Sequence, residues 1–148
     1  MFYTFLNDAL KDVGVWLFNA DPTATKTGRL IATVGDVLVD DVEGLALVNN
    51  ALGHYLIVSS QGDNSYAVYK ATAPYNYVGS FRVGLNSEHT IDGTSETDGI
   101  AINGAPLGKQ YPHGLLVIQD GFNLMPSQPQ NFKYVSWEDV IGVLNESR

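Results

Sequence analysis

The chain contains no cysteine. That absence excludes disulfide staples, thiolate metal sites and cysteine nucleophiles together, so any metal held here takes oxygen or histidine ligands. Cations are scarce as well: 8 Lys and Arg stand against 16 Asp and Glu, a formal net charge of -8 over 148 residues. A surface that tracks nucleic-acid phosphates needs clustered Lys and Arg, which so acidic a chain does not supply. An anionic ligand would need the help of a cation. Long hydrophobic runs are missing too. No stretch approaches a membrane span, and the opening MFYTFL has no basic flank and passes at once into Asn7 and Asp8, so neither a signal peptide nor an anchor is expected.

What is present is a chain with 45% hydrophobic residues, enough for one globular domain. Its apolar runs are short, rich in Val, Ile, Tyr and Leu, and separated by Gly, Asn, Asp and Pro, the pattern of many strands joined by tight turns. The expected strands fall at 13–18, 29–34, 44–48, 54–60, 65–70, 77–83, 99–103, 114–119 and 132–137. One helix is expected at about 137–145, because Trp137, Val140, Ile141 and Leu144 follow Ser136 at helical spacing and Asp139 stands where a capping-box acid belongs.

The segment VEGLALV at 42–48 returns as TDGIAIN at 97–103, so Glu43-Gly44 and Asp98-Gly99 match 55 residues apart. YLIVSSQGDN after the first copy is echoed by GLLVIQDGFN after the second. A repeat of roughly 40 to 55 residues with about four strands is the mark of a propeller blade. The expected fold class is therefore all-β: a partial β-propeller in one incomplete domain over 1–148. Its parts are a partial blade at about 12–34, a full blade at about 43–83, a three-stranded blade at about 98–136, and a short C-terminal helix. About two and a half blades do not close a ring that needs about four to eight. Either a partner completes it or the chain is part of a longer protein.

Oxygen donors gather at the strand ends. Asp41 and Glu43 lie two apart at the start of a strand and so share a direction, Gln61 closes the next strand, and Asp92 and Asp98 flank the loop before the second repeat. In a propeller these positions approach one another, giving one acidic basin. A single Asp-Gly pair is otherwise most simply a turn. His54, His89 and His113 show no metal-ligand spacing and are read as strand or loop residues. Lys109 and Arg82 read as solvated surface before phosphate contacts. Tyr66, Tyr69, Tyr77, Phe81, Phe132 and Tyr134 read as sheet packing.

Five segments, in order, carry a family resemblance: DVEGLAL at 41–47, SSQGDNSYAVY at 59–69, IDGTSETDGI at 91–100, LGKQYPHGLLVIQDGFN at 107–123 and QNFKYVSWEDV at 130–140. Together they resemble the C-terminal portion of the β-propeller phytases, calcium-dependent enzymes that remove phosphate from inositol phosphates. The resemblance implies a six-bladed ring, several calcium ions, a phosphate-binding cleft and an exported enzyme. Residues matching Asp41, Glu43, Gln61 and Asp92 belong to the family's calcium-rich active site, with Asp98 close by. Asp92, Asp98 and Glu43 are the catalytic candidates that follow. Asp120, Asn123 and the backbone carbonyl of Phe122 match a second calcium site that stabilises the fold. The implied reaction is metal-assisted hydrolysis of a phosphomonoester by water, with no covalent nucleophile.

Two departures stand beside it. Where the family carries an adjacent acidic pair, ALKDVGVW at 9–16 offers Leu10 and Lys11 before Asp12. The family's basic and tyrosine phosphate contacts come largely from a half of the propeller this chain lacks. Those departures favour the alternative, a non-catalytic module that binds calcium or a phosphorylated ligand. A calcium-dependent lactonase-type propeller is a remoter reading. The expected partners are an inositol polyphosphate and either a second copy or the remaining propeller half.

Overall fold

The computed structural model describes residues 2–6, 14–25 and 27–146, the first five by backbone alone. Three antiparallel sheets follow one another along the chain. The first joins β1 (Phe2–Leu6), β2 (Gly14–Phe18) and β3 (Arg29–Thr33) in that order. The second is a meander of β4 (Val42–Asn50), β5 (Gly53–Ser60), β6 (Ser65–Lys70) and β7 (Tyr77–Phe81), each strand pairing with the next. The third is built from β8 (Ile100–Asn103) and β9 (Leu115–Asp120). After them come a two-stranded ribbon of β10 (Asn123–Leu124) and β11 (Ser127–Gln128), then β12 (Asn131–Ser136), which returns to give the order β12-β9-β8. A single helix, α1 (Trp137–Glu146), ends the fold. The architecture is mostly β-sheet with one short C-terminal helix, and no sheet of the described residues closes into a barrel.

The second sheet is covered on both faces. Along β5, Tyr55 and Ile57 point into one apolar cluster with Tyr66, Val68 and Phe81, which is completed by Leu116, Ile118, Trp137, Val140 and Leu144 from the third sheet and α1. Leu56 and Val58 point the other way, into a cluster with Ala67, Tyr69, Val15 and Leu38. Period-two side chains of one strand thus serve two cores, which is why 55–58 reads YLIV without polar alternation. Each such fully buried aliphatic side chain contributes about 1.5–3 kcal/mol of transfer free energy.

Local chemistry sets the joints. Asn50 ends β4 as a hinge: its Oδ1 accepts from the Leu52 N–H, while its Nδ2 donates to the carbonyls of His113 and Gly104, tying the first hairpin to the third sheet. The helix sets Trp137, Val140 and Leu144 on its buried face, as the sequence spacing requires. Leu144 lies against β7, where a Cβ on Gly79 would stand 2.8 Å from its Cδ2.

Every strand expected from the sequence corresponds to one of β2–β9 or β12; β1 and the β10–β11 ribbon were not expected. The residues Asn7 and Asp8, and Leu10, Lys11 and Asp12, lie outside the described residues. Of the aromatics read as sheet packing, Tyr66, Tyr69 and Phe81 are buried, whereas Tyr77 is 44% exposed and Phe132 and Tyr134 are each 65% exposed, with Lys133 between them 6% exposed.

The two repeated glycines do different jobs. A Cβ on Gly44 would stand 3.0 Å from Ile100 N and 3.1 Å from the Asp98 carbonyl oxygen, so the first strand of the second sheet abuts the first strand of the third there; Gly99 has nothing within 4 Å. Gly44→Val should therefore destabilise the chain by about 1–3 kcal/mol, through overpacking that forces the sheets apart. Gly99→Ala should stay within about 0.5 kcal/mol. Urea unfolding of both variants checks the contrast, and equal midpoints would refute it.

Candidate functional site

Two separate groups of oxygen donors lie at the ends of these strands. The outer one is a mouth between the second and third sheets. Asp41 adopts a left-handed φ of 52° and its carbonyl accepts the Gln61 N–H at 2.8 Å, while the Asp40 carbonyl accepts the Gly62 N–H at 2.8 Å. Only glycine fits at 62, because a Cβ there would meet Asp40 O at 2.2 Å. The turn after β5 is thereby clamped to the start of β4. From that turn Gln61 Nε2 donates to Asp98 Oδ1 at 2.7 Å, across to the third sheet. The Asp98 N–H donates to Gln119 Oε1 at 2.9 Å, and Gln119 Nε2 donates to Gln130 Oε1 at 3.1 Å. Glu43 stands beside Gly44, the residue that abuts the Asp98 carbonyl. Asp41 and Asp98 are exposed, and Glu43 and Gln61 half-buried.

The loop that delivers Asp98 is held from beneath. Tyr66 Oη shares hydrogen bonds with the hydroxyls of Thr94 at 2.7 Å and Thr97 at 2.6 Å, and Ser59 Oγ donates to the Thr97 carbonyl at 2.8 Å. The Glu96 N–H donates to Asn64 Oδ1 at 2.8 Å. Side chains of the second sheet therefore position a loop of the third.

The inner group surrounds Lys133. Its Nζ lies 2.6 Å from Asp92 Oδ1, 2.5 Å from Asn123 Oδ1 and 3.1 Å from Asp120 Oδ2. Other polar atoms here are occupied as well, whereas Asp120 Oδ2 and Asn131 Oδ1 accept no hydrogen bond among the described residues. Asp92 Oδ2 accepts the Leu124 N–H at 2.5 Å, and Asp120 Oδ1 accepts from the Ser95 N–H at 3.0 Å and the Ser95 hydroxyl at 3.3 Å. Asn123 Nδ2 donates to the Pro126 carbonyl. Burial opposes the charge on Asp92, yet hydrogen bonds from Lys133 and the Leu124 N–H, with the ammonium's charge, hold its carboxyl below the usual carboxylate value. Burial likewise opposes the charge on Lys133, and the contacts with Asp92 and Asp120 outweigh it, holding the ammonium above the usual lysine value.

The predicted site residues are therefore divided. Gln61 and Asp98 are joined by a hydrogen bond, with Asp41 bonded to Gln61 through its backbone and Glu43 two residues on; Asp92 joins Asp120 and Asn123 around Lys133. Phe122 is exposed, beside Asn123. Lys133, Gln119, Gln130 and Tyr66 were missed as site residues. The available signal for Lys133 was its place between two aromatics in a strand, where a cation is most simply read as solvated. Arg82 is paired with Asp63 at 2.7 Å, and His113 lies 3.8 Å from Glu138. A cleft of about 670 Å³ bounded by Tyr77, Arg82, Val83, Val140 and Val143 holds none of the predicted site residues.

Calcium takes six to eight oxygens from carboxylates, amide and backbone carbonyls and water. The mouth offers donors of that chemistry, but among the described residues no three His, Asp or Glu side chains group closely enough to hold a metal. The inner donors do not fit a divalent ion as they stand, because Lys133 Nζ is at their point of convergence.

The class of the protein comes from comparison with known sequences. The family model described as Phytase matches residues 2–148, and the chain belongs to that family. A curated relative, the 3-phytase of Bacillus subtilis (strain 168), is 43% identical over 148 residues, covering 97% of this chain. The chain spans 38% of the length of that relative.

The inner cluster gives a pH signature in calcium-free buffer. With its folded pKa depressed, Asp92 stabilises above its unfolded value of about 3.9, and that contribution is lost as pH falls through the folded value. With its folded pKa raised, Lys133 stabilises below its unfolded value of about 10.4, and that contribution is lost as pH rises through the folded value. Urea midpoints should hold a plateau between these limits and fall on both sides. Asp92→Asn should lower the plateau and flatten the acid limb; an unchanged acid limb would contradict the assignment.

Proposed function

We propose that this chain is the C-terminal portion of a phytate-hydrolysing β-propeller and supplies the acidic part of a calcium-dependent phosphomonoesterase site. On this reading β4–β7 form a four-stranded blade, β8, β9 and β12 a three-stranded one, and β2 and β3 part of a third, in a six-bladed ring. The family membership and the likeness to a 3-phytase support it, together with the short span of that relative which the chain covers. The observation that carries the site is the Gln61–Asp98 hydrogen bond of 2.7 Å, which joins the two matched repeats at their strand ends.

Asp41, Glu43, Gln61 and Asp98 would hold calcium, with further ligands from outside the described residues. Bound calcium would neutralise the substrate phosphate and acidify a water molecule for in-line attack. The chain's own residues provide placement. Gln119 fixes the Asp98 backbone, Gln61 fixes its carboxylate, and Tyr66 holds the Thr94–Thr97 stretch that leads to it. Asp92 acts at the other end of this loop by anchoring it to Lys133.

Phosphate contacts from cationic side chains would come largely from the rest of the protein. Among the described cations, Arg82 pairs with Asp63, Lys133 is buried, Arg29 and Lys70 lie over the rings of Tyr75 and Tyr55, and Lys109 alone is exposed with no such contact. That shortage supports a second reading, a module that binds calcium with a phosphorylated ligand and does not turn it over. Export belongs to the family reading; no helix of the described residues is long and apolar enough to cross a membrane.

Calorimetry with calcium and then phytate, beside phosphate-release assays of the chain alone and joined to a complementary phytase half, separates the readings. Calcium-dependent turnover by the joined protein, abolished by chelation, is expected. Glu43→Gln and Asp98→Asn should each weaken calcium binding about tenfold or more, ~1.4 kcal/mol. Calcium-independent turnover, or wild-type affinity in both variants, would overturn the assignment. Binding without turnover by the joined protein would leave the second reading.

A further inference from the structure

The inner cluster has the composition of a cation site and a cation of its own. Three oxygens from three residues, Asp92 Oδ1, Asn123 Oδ1 and Asp120 Oδ2, lie 2.6, 2.5 and 3.1 Å from one nitrogen that carries three N–H bonds. Asp120 is 0% exposed and Lys133 6%. Two buried carboxylates without a cation would repel each other in a medium that screens poorly, so the pocket requires positive charge wherever it comes from.

We propose that the Lys133 ammonium is the resident cation of the Asp92–Asp120–Asn123 pocket, supplied by the chain itself, and that this pocket takes no calcium. Calcium binding by the described residues is then confined to the mouth around Gln61 and Asp98. The two ions differ in what they demand. The ammonium donates hydrogen bonds to Asp92 Oδ1 and Asn123 Oδ1 and forms an ion pair with Asp120 Oδ2, which accepts no hydrogen bond among the described residues. Calcium asks for six to eight oxygens at 2.3–2.6 Å and would have to displace a side chain covalently fixed in β12.

The neighbours are already committed in the same sense. Asn123 Oδ1 also accepts from Asn131 Nδ2 at 2.7 Å, Asp92 Oδ2 takes the Leu124 N–H, and Asp120 Oδ1 takes the Ser95 donors. The backbone thus supplies part of the neutralisation that extra charge on a divalent ion would otherwise provide. Loop 92–98, the β9–β10 turn and β12 are joined through one side chain, without dependence on free metal. The proposal stands apart from the mouth: it survives if the chain binds no calcium at all, an outcome that would instead sink the calcium-dependent function.

Calcium equivalents counted by calorimetry on the full chain test it, with wild type and Asp92→Asn compared at the same pH. The same number for both is expected, including zero for both, because Asp92 faces an ammonium. One equivalent fewer in Asp92→Asn would show that Asp92 holds calcium and would overturn the proposal. Lys133→Met, which empties the pocket of its cation, should gain one equivalent and a calcium-dependent rise in Tm; a folded Lys133→Met chain that gains neither overturns the claim that the ammonium stands in a cation's place. Should these variants fail to fold, lysine-labelled NMR of wild type decides. One slowly exchanging ammonium resonance, unmoved by saturating calcium, is expected; its loss on calcium addition would refute the proposal.

Discussion

The structure depends on a sheet that is buried on both sides. β5 and β6 lie in the middle of the β4–β7 meander, and their alternate side chains feed two apolar clusters that are otherwise separate. A strand in that position cannot use a polar face to declare its direction, so its neighbours supply the polar work at its ends. Gln61, Asn64, Ser59 and Tyr66 all belong to this meander or its turn, and all hold the loop that leads into the third sheet. The same burial that makes the core makes the rim rigid enough to place Asp98.

Charge is arranged around that core in two regimes. At the mouth, Asp41 and Asp98 remain exposed, and the Gln61 carboxamide orders the Asp98 carboxylate. Beneath it, Asp92 and Asp120 are enclosed and paired with an ammonium. Both come from one acidic loop and its partners, and what separates their chemistry is depth. An exposed carboxylate can wait for a ligand; a buried one has to be paired as the chain folds.

Much of this was legible from the residues. The short apolar runs and their punctuation predicted the strands from β2 to β9 and β12, because turn residues and β-branched or aromatic runs act locally. The helix was legible from its spacing. The internal repeat located the mouth, since Glu43 and Asp98 fall at matching strand starts. What sequence could not show was which acids share a space. Asp92 and Asp98 were grouped because they flank one loop before the second repeat, yet that loop carries one inward and leaves the other at the rim. The partner that decides this, Lys133, lies 41 positions from Asp92, and nothing local marks it. The short ribbon of β10 and β11 escaped notice because two-residue strands have no period to read.

The inverted pattern of β12 has a consequence for strand register. Sliding this strand by one residue against β9 would carry every side chain to the opposite face. Judged by its aromatics alone, that slip is the favourable choice, since it would enclose Phe132 and Tyr134 and release Lys133 to water, at the loss of the Val135 contact with the core. It would also leave Asp92 and Asp120 enclosed with no counter-charge. The alignment Lys133↔Ile118 is therefore selected against the preference of the aromatics in its own strand. In β12 a single ion pair network does the job that alternation does elsewhere: it tells the strand which way is in.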